Sequence, residues 1–262
     1  MCQVIDEPLQ LPHMFPHEFA DLLNARGRRL IDSPQRFDVF HKRGETPVIV
    51  LSDLIDDATA KRCIQTLDQA FYPLLRRMHT PIPREAITGM KKNYSDTLRK
   101  TVRVKTATLN SRKSQALDAG RSTGLSQMME SQSFLRFAEC IVGSPLNDAH
   151  WGRQVICYER GDYSGPHNDH HPESPVARNG FVDLHIMFSN DAVQSQWLVY
   201  EERGFLSQSH EVGTTSGIAV YRLPFWHYTT PLVARPGREK DARRWLLLGS
   251  FDFDPPLKKL QY

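Results

Sequence analysis

His167 and Asp169 stand two residues apart at the end of the stretch Gln154 to Asp169, Gln-Val-Ile-Cys-Tyr-Glu-Arg-Gly-Asp-Tyr-Ser-Gly-Pro-His-Asn-Asp. In extended backbone, residues i and i+2 point to the same face, so an imidazole and a carboxylate at this spacing can grip one cation from the same side. A third ligand must come from elsewhere, and Trp226-His227-Tyr228 offers a histidine at the mouth of a later apolar run. Two histidines and one carboxylate on one face of a metal leave coordination positions open for reactants, a set that suits Fe(II).

Other residues compete for that role. His170 and His171 follow Asp169 directly, but neither stands at i−2 to the carboxylate. Asp183 and His185 form an Asp-x-His pair on a strand whose opposite face carries Val182, Leu184, Ile186 and Phe188. If that apolar face is inward, the pair faces solvent or a second layer. His210 beside Glu211 reads as a loop or strand-edge pair. His13 and His17 are four apart, yet Pro16 between them argues against one helix, which leaves two surface histidines.

Positioning these groups takes a sizeable fold, and 262 residues can bury a substantial core. The sequence predicts an N-terminal extension over 1–46, with a short helix from His17 to Asn24, and one domain over 47–257. Val48 to Leu51 reads as a buried strand, followed from about Asp57 by a helix with Ala60, Ile64, Leu67, Phe71 and Leu74 at helical spacing. Gly124 to Val142 reads as a second amphipathic helix, closed by Gly143 and Pro145. After residue 150 short β-rich runs take over, near 153–158, 181–188, 196–200, 217–222, 227–233 and 244–253. Many short strands separated by turns predict an antiparallel sandwich or jelly roll over about 151–254, so the class is α+β. Seven of the eleven histidines fall from His150 onward.

Between Lys91 and Lys113 eight basic residues face one acid, Asp96. Thr101-Val-Arg-Val-Lys105 alternates, so a strand there puts Arg103 and Lys105 on one face. A solvated edge strand guarded by its charges accounts for this stretch, and a patch for an acidic ligand is the alternative. The net charge, 33 basic against 30 acidic residues, is only +3, too slight to imply a nucleic-acid or membrane partner. No apolar run approaches the roughly 18 residues of a spanning helix, and Met-Cys-Gln-Val-Ile-Asp-Glu lacks a signal pattern, which predicts a cytoplasmic protein. The scattered Cys2, Cys63, Cys140 and Cys157 read as reduced thiols.

The segment Tyr158-Glu-Arg-Gly-Asp-Tyr-Ser-Gly-Pro-His167-Asn-Asp169 resembles the first metal-binding motif of the 2-oxoglutarate and Fe(II)-dependent dioxygenases, in particular their prolyl-hydroxylase-like group. His227, and later Arg243-Arg-Trp-Leu-Leu-Leu-Gly-Ser-Phe251, are similar to that family's distal histidine and final strand. Val48-Ile-Val-Leu-Ser-Asp-Leu-Ile-Asp-Asp-Ala-Thr-Ala-Lys-Arg-Cys63 resembles its strand-then-helix opening. The resemblance implies a double-stranded β-helix (jelly roll) with N-terminal helices packed on it, and iron held by His167, Asp169 and His227. It implies 2-oxoglutarate as cosubstrate with O2, release of succinate and CO2, and ascorbate as a supporting reductant.

An arginine must then meet the cosubstrate's far carboxylate, for which a planar guanidinium suits. Arg244 shares a strand face with Leu246, Leu248 and Ser250, Arg243 with Trp245 and Leu247; both faces are apolar, and the family's ordering favours Arg244. Tyr158 resembles a tyrosine that bonds the cosubstrate and is otherwise a core residue. At Phe188, where members often carry another such tyrosine, this chain has no hydroxyl. The expected activity is hydroxylation of a C–H bond on a protein side chain or small molecule, with nucleic acid disfavoured; the alternative is a non-catalytic jelly-roll module that binds metal or ligand as a sensor.

Overall fold

The computed structural model describes residues 14–32, 47–87, 99–110, 114–169, 180–202 and 205–256. Helices come first: α1 (Phe19–Leu22), α2 (Ala25–Asp32) and, after strand β1 (Val48–Leu51), α3 (Asp57–Thr66). α3 runs on as a π turn over Leu67–Phe71 and a 3-10 turn over Tyr72–Leu74. Strand β2 (Arg76–Pro81), helix α4 (Arg84–Ile87) and strand β3 (Thr101–Thr108) follow, then helices α5 (Gln115–Ser122), α6 (Leu125–Glu130) and α7 (Gln132–Val142). The single helix expected over 124–142 is two, because the Ser131 hydroxyl donates to the Met128 carbonyl at 2.7 Å and accepts from the Phe134 N–H at 3.3 Å. A side chain that serves both groups replaces a helical turn and caps the next helix.

The rest is strand: β4 (Leu146–Glu159), β5 (Tyr163–His167), β6 (Phe181–Ser189), β7 (Val193–Ser195), β8 (Trp197–Glu202), β9 (Phe205–Glu211), β10 (Ser216–Leu223), β11 (His227–Thr229), β12 (Val233–Ala234) and β13 (Arg243–Phe253). All pairings are antiparallel. One sheet runs β1-β10-β6-β13-β4 and the other β5-β11-β8-β9. From β4 onward the chain crosses between them at every connection but the β8–β9 hairpin, with β7 and β12 pairing apart from both, which is the path of a jelly roll, here a double-stranded β-helix. β3 joins the two, pairing with β4 through Lys105–Thr108 and with β5 through Val102 and Arg103. It is therefore no edge strand, contrary to expectation: β2, β4 and β5 all bond to it.

Two apolar layers follow from strand parity. Val182, Leu184, Ile186 and Phe188 of β6 pack beneath the helices with Phe19, Phe134, Phe137 and Trp245. Phe19 meets Phe134 and Phe137 edge-on at 5.2 and 5.3 Å. The other face of β6, with Phe181 and Met187, lines the barrel interior beside Tyr158, Tyr200, Tyr221, Phe225 and Leu246. The apolar face expected to be inward is thus the helix-covered one. Phe188 points away from the interior, so the hydroxyl missed there belongs to a position outside the site; Ser189 and Met187 occupy the inner face.

Candidate metal centre

β5 ends at His167, and β11 begins at His227. The two are direct cross-strand partners, with ring centroids 4.4 Å apart. Asp169 reaches them in a way strand alternation does not provide. It lies beyond the end of β5 with φ 45°, a left-handed conformation that aspartate tolerates, and this turn brings its carboxylate back over the two imidazoles. Asp169 Oδ1 is 3.0 Å from His167 Nε2 and Oδ2 is 3.2 Å from His227 Nε2. Among the described residues these three make the one group of histidine, cysteine and acidic side chains with ligand atoms mutually close, all within 4.8 Å. His170 and His171 lie outside the described residues.

The hydrogen bonds behind the rings decide what the group can hold. His167 Nδ1 faces the Gly165 carbonyl at 2.6 Å and His227 Nδ1 faces the Phe225 carbonyl at 3.0 Å. A carbonyl only accepts, so each Nδ1 carries the proton and each Nε2 turns its lone pair toward the carboxylate. Lone pairs facing an anion at this range repel unless a cation sits between them, whether a proton or a metal ion. Burial works against a charge on Asp169, yet the neighbouring His167 and His227 hold its carboxyl well below the usual range. Burial also disfavours a charged His167, but Asp169 outweighs it and raises its pKa; His227, pressed by burial and by His167, is lowered. An ionised carboxylate and two backbone-anchored Nε2 donors fit a divalent metal.

Parity separates the two arginines. Arg243 turns to the helix side, 3.5 Å from Asp68 and 4.1 Å over the Tyr72 ring. Arg244 turns inward and is only 2% exposed. Its Nε donates to the Val212 carbonyl at 2.8 Å, its Nη1 to Gln196 Oε1 at 3.2 Å, and its guanidinium lies 5.0 Å from the ring of Tyr158, its cross-strand partner. Among the described residues no carboxylate pairs with it. Burial lowers its pKa without a counter-anion to offset the loss of solvent. Tyr158, also buried, shares hydrogen bonds with Arg244 and Thr229, and burial raises its pKa.

Three neighbours escaped the sequence. Gln196, fully buried, is oriented by donating to the carbonyls of Asp162 (3.2 Å) and Thr230 (2.9 Å), which turns its oxygen to Arg244. Ser189 stands directly opposite Arg244 on β6, its hydroxyl buried without a partner among the described residues. Tyr221 of β10 meets His227 edge-on at 5.5 Å. Alternation along β6 and β10 marks Ser189 and Tyr221 as sharing faces with these groups, but which face is interior is decided only by the helices.

Of the basic stretch, residues 91–98 and 111–113 lie outside the described residues. Arg103 is engaged at 3.0 Å with the buried Asp162, which Arg77 also holds at 2.6 Å. Lys105 sits 3.0 Å from Glu159 and over the Tyr72 ring at 4.1 Å. Strand β3 spends these charges within the protein.

No family model matches this chain, and no curated protein does. Among solved structures it is similar to a prolyl hydroxylase from Trichoplax adhaerens in complex with a hypoxia inducible factor peptide fragment, at 12% identity and TM-score 0.48, covering 87% of this chain and 91% of that one. It is similar to an oxidoreductase of the 2OG-Fe(II) oxygenase family from Burkholderia pseudomallei, at 11% identity and TM-score 0.44, with 89% of each chain covered. It is also similar to EctD from S. alaskensis with bound Fe, at 10% identity and TM-score 0.47, over 87% of this chain and 80% of that one.

Proposed function

We propose that this protein is an Fe(II)- and 2-oxoglutarate-dependent dioxygenase that hydroxylates a C–H bond of a protein side chain or a small molecule. The observation that carries the reading is one interior holding both halves of the apparatus. Two Nε2 lone pairs and the Asp169 carboxylate converge at one point, and the buried guanidinium of Arg244, with no carboxylate partner among the described residues, lies in the same barrel. His167, Asp169 and His227 hold the iron. Arg244, with Tyr158 and Gln196 around it, binds the far carboxylate of 2-oxoglutarate, a charge-assisted contact strengthened by burial. When bound, iron supplies oxidative decarboxylation of 2-oxoglutarate to succinate and CO2, coupled through O2 to hydroxylation of the substrate.

The chain's own residues do the rest. The Gly165 and Phe225 carbonyls fix both imidazole tautomers, which keeps the Nε2 atoms available to metal. Tyr221, Phe225 and Tyr200 enclose His227 in an aromatic wall that limits water. We assign it to the cytoplasm, in keeping with Cys63, Cys140 and Cys157 as free thiols. Among the described residues no helix is long and apolar enough to cross a membrane. A nucleic-acid partner is disfavoured, since Arg103 and Lys105 are already paired.

Purified protein with Fe(II), ascorbate and 2-oxoglutarate in air is expected to form succinate slowly without added substrate, and His227→Ala to form none. Absence of iron-dependent succinate, with 2-oxoglutarate binding intact, would make the protein a sensor instead.

A further inference from the structure

Asp183 and His185 alternate between Phe181 and Met187 on the interior face of β6, so their side chains enter the barrel rather than solvent. Both are more than nine-tenths buried. They are one aromatic ring away from the metal centre: His185 lies 4.1 Å from the Tyr221 ring, centroid to centroid, and Tyr221 abuts His227. Asp183 is also the direct cross-strand partner of Tyr221. The pair lacks a third ligand among the described residues, so it is not a second metal site.

Its hydrogen bonding is incomplete. Ser250 donates to Asp183 Oδ1 at 2.5 Å, while Asp183 Oδ2 and His185 Nε2 stand 3.9 Å apart, too far for a hydrogen bond. His185 Nε2 has no partner among the described residues. Among the described residues the carboxylate is served by one hydroxyl and the imidazole Nε2 by none, which leaves both under-compensated in a buried setting. A nitrogen carrying several N–H donors, set about 2.9 Å from each atom, bridges Oδ2 and Nε2 and answers both demands.

We infer that Asp183 and His185 form the subsite that receives a protonated amine of the substrate, placing the carbon to be oxidised between that amine and the metal. This rests on the function proposed above and narrows it to substrates bearing an ammonium group. Asp183 supplies the counter-charge and His185 the second acceptor, with the Tyr221 ring lining the wall beside both His185 and His227. A neutral or anionic substrate of the same shape leaves the carboxylate buried without a cation.

The test uses the full chain loaded with Zn(II) and saturating 2-oxoglutarate, titrated with n-butylammonium and with n-butanol and followed by ligand-observed NMR. Wild type is expected to bind the ammonium at least tenfold more tightly than the alcohol. Asp183→Asn, which keeps shape and removes charge, is expected to abolish that preference, and His185→Leu to reduce it several-fold; unchanged unfolding midpoints tie these losses to the subsite. Equal affinity of wild type for the two probes, or a preference that survives in whichever of the two variants folds, overturns the inference. A wild-type chain that binds neither metal nor 2-oxoglutarate overturns instead the function on which it rests.

Discussion

His167 is where proton and metal compete most directly. Its raised pKa means that the metal-free chain keeps a proton there above the ordinary range, and a metal ion must displace it. Affinity for Zn(II) is therefore expected to rise about tenfold per pH unit below that pKa and to level off above it, as measured by competition with a chelator. In the metal-free fold the signs are opposite for the two partners. The raised His167 contributes stability fully below its unfolded value of 6.5, lost as pH rises through the folded pKa; the depressed Asp169 contributes above its unfolded value of 3.8, lost as pH falls. The difference in melting temperature between metal-free wild type and Asp169→Asn should peak between those values and shrink on either side. Arg244→Ala is expected to weaken anaerobic 2-oxoglutarate binding about 100-fold, the cost of one desolvated charge-assisted contact, whereas Arg243→Ala changes it less than about threefold. Equal losses would mean that parity misassigns the pair.

At the scale of elements, β5 carries the centre because its backbone comes extraordinarily close to its neighbour. A Cβ at Gly165 would stand 2.0 Å from the Arg99 carbonyl and 2.9 Å from that of Thr101, and the Gly165 carbonyl is also what anchors His167. Gly165→Ala should push β5 off β3, lowering the melting temperature and weakening metal binding together; metal affinity unchanged in a destabilised variant would separate the two. The strands of the second half were legible because Val, Ile and Leu repeat along them, and the His-x-Asp spacing was legible because few ligand sets use it. The Asp169 turn was not, since a positive φ leaves no mark in residue type when glycine is absent. Strands β2, Arg-Arg-Met-His-Thr-Pro, and β9, Phe-Leu-Ser-Gln-Ser-His-Glu, are too polar to announce themselves. The break at Ser131 hides inside an apolar pattern that continues across it.

For the molecule as a whole, Asp162 ties the added strands to the barrel. Fully buried, it receives Arg77 of β2 and Arg103 of β3 and also accepts the Glu159 N–H at 2.9 Å. Asp162→Asn leaves two guanidinium groups facing a neutral amide and should cost about 1–3 kcal/mol by denaturant titration, the scale of lost charged hydrogen bonds, since Arg77 and Arg103 are 38% and 42% exposed and water takes up part of the loss. Cys63, its thiol pushed up to about 12 by burial, and the equally buried Cys157 should resist thiol reagents until the chain unfolds. β3 bonds to both sheets, while among the described residues β1 and β9 at the far ends of the strand order pair with no one beyond β10 and β8. Strand ladders thus join the two sheets at β3, and Arg244 of β13 ties them again across the interior through Val212 and Gln196. β5 and β11 follow β3 directly in the strand order, so His167 and His227 are anchored where the two sheets are joined, the part of the barrel that a change elsewhere in the wall disturbs least.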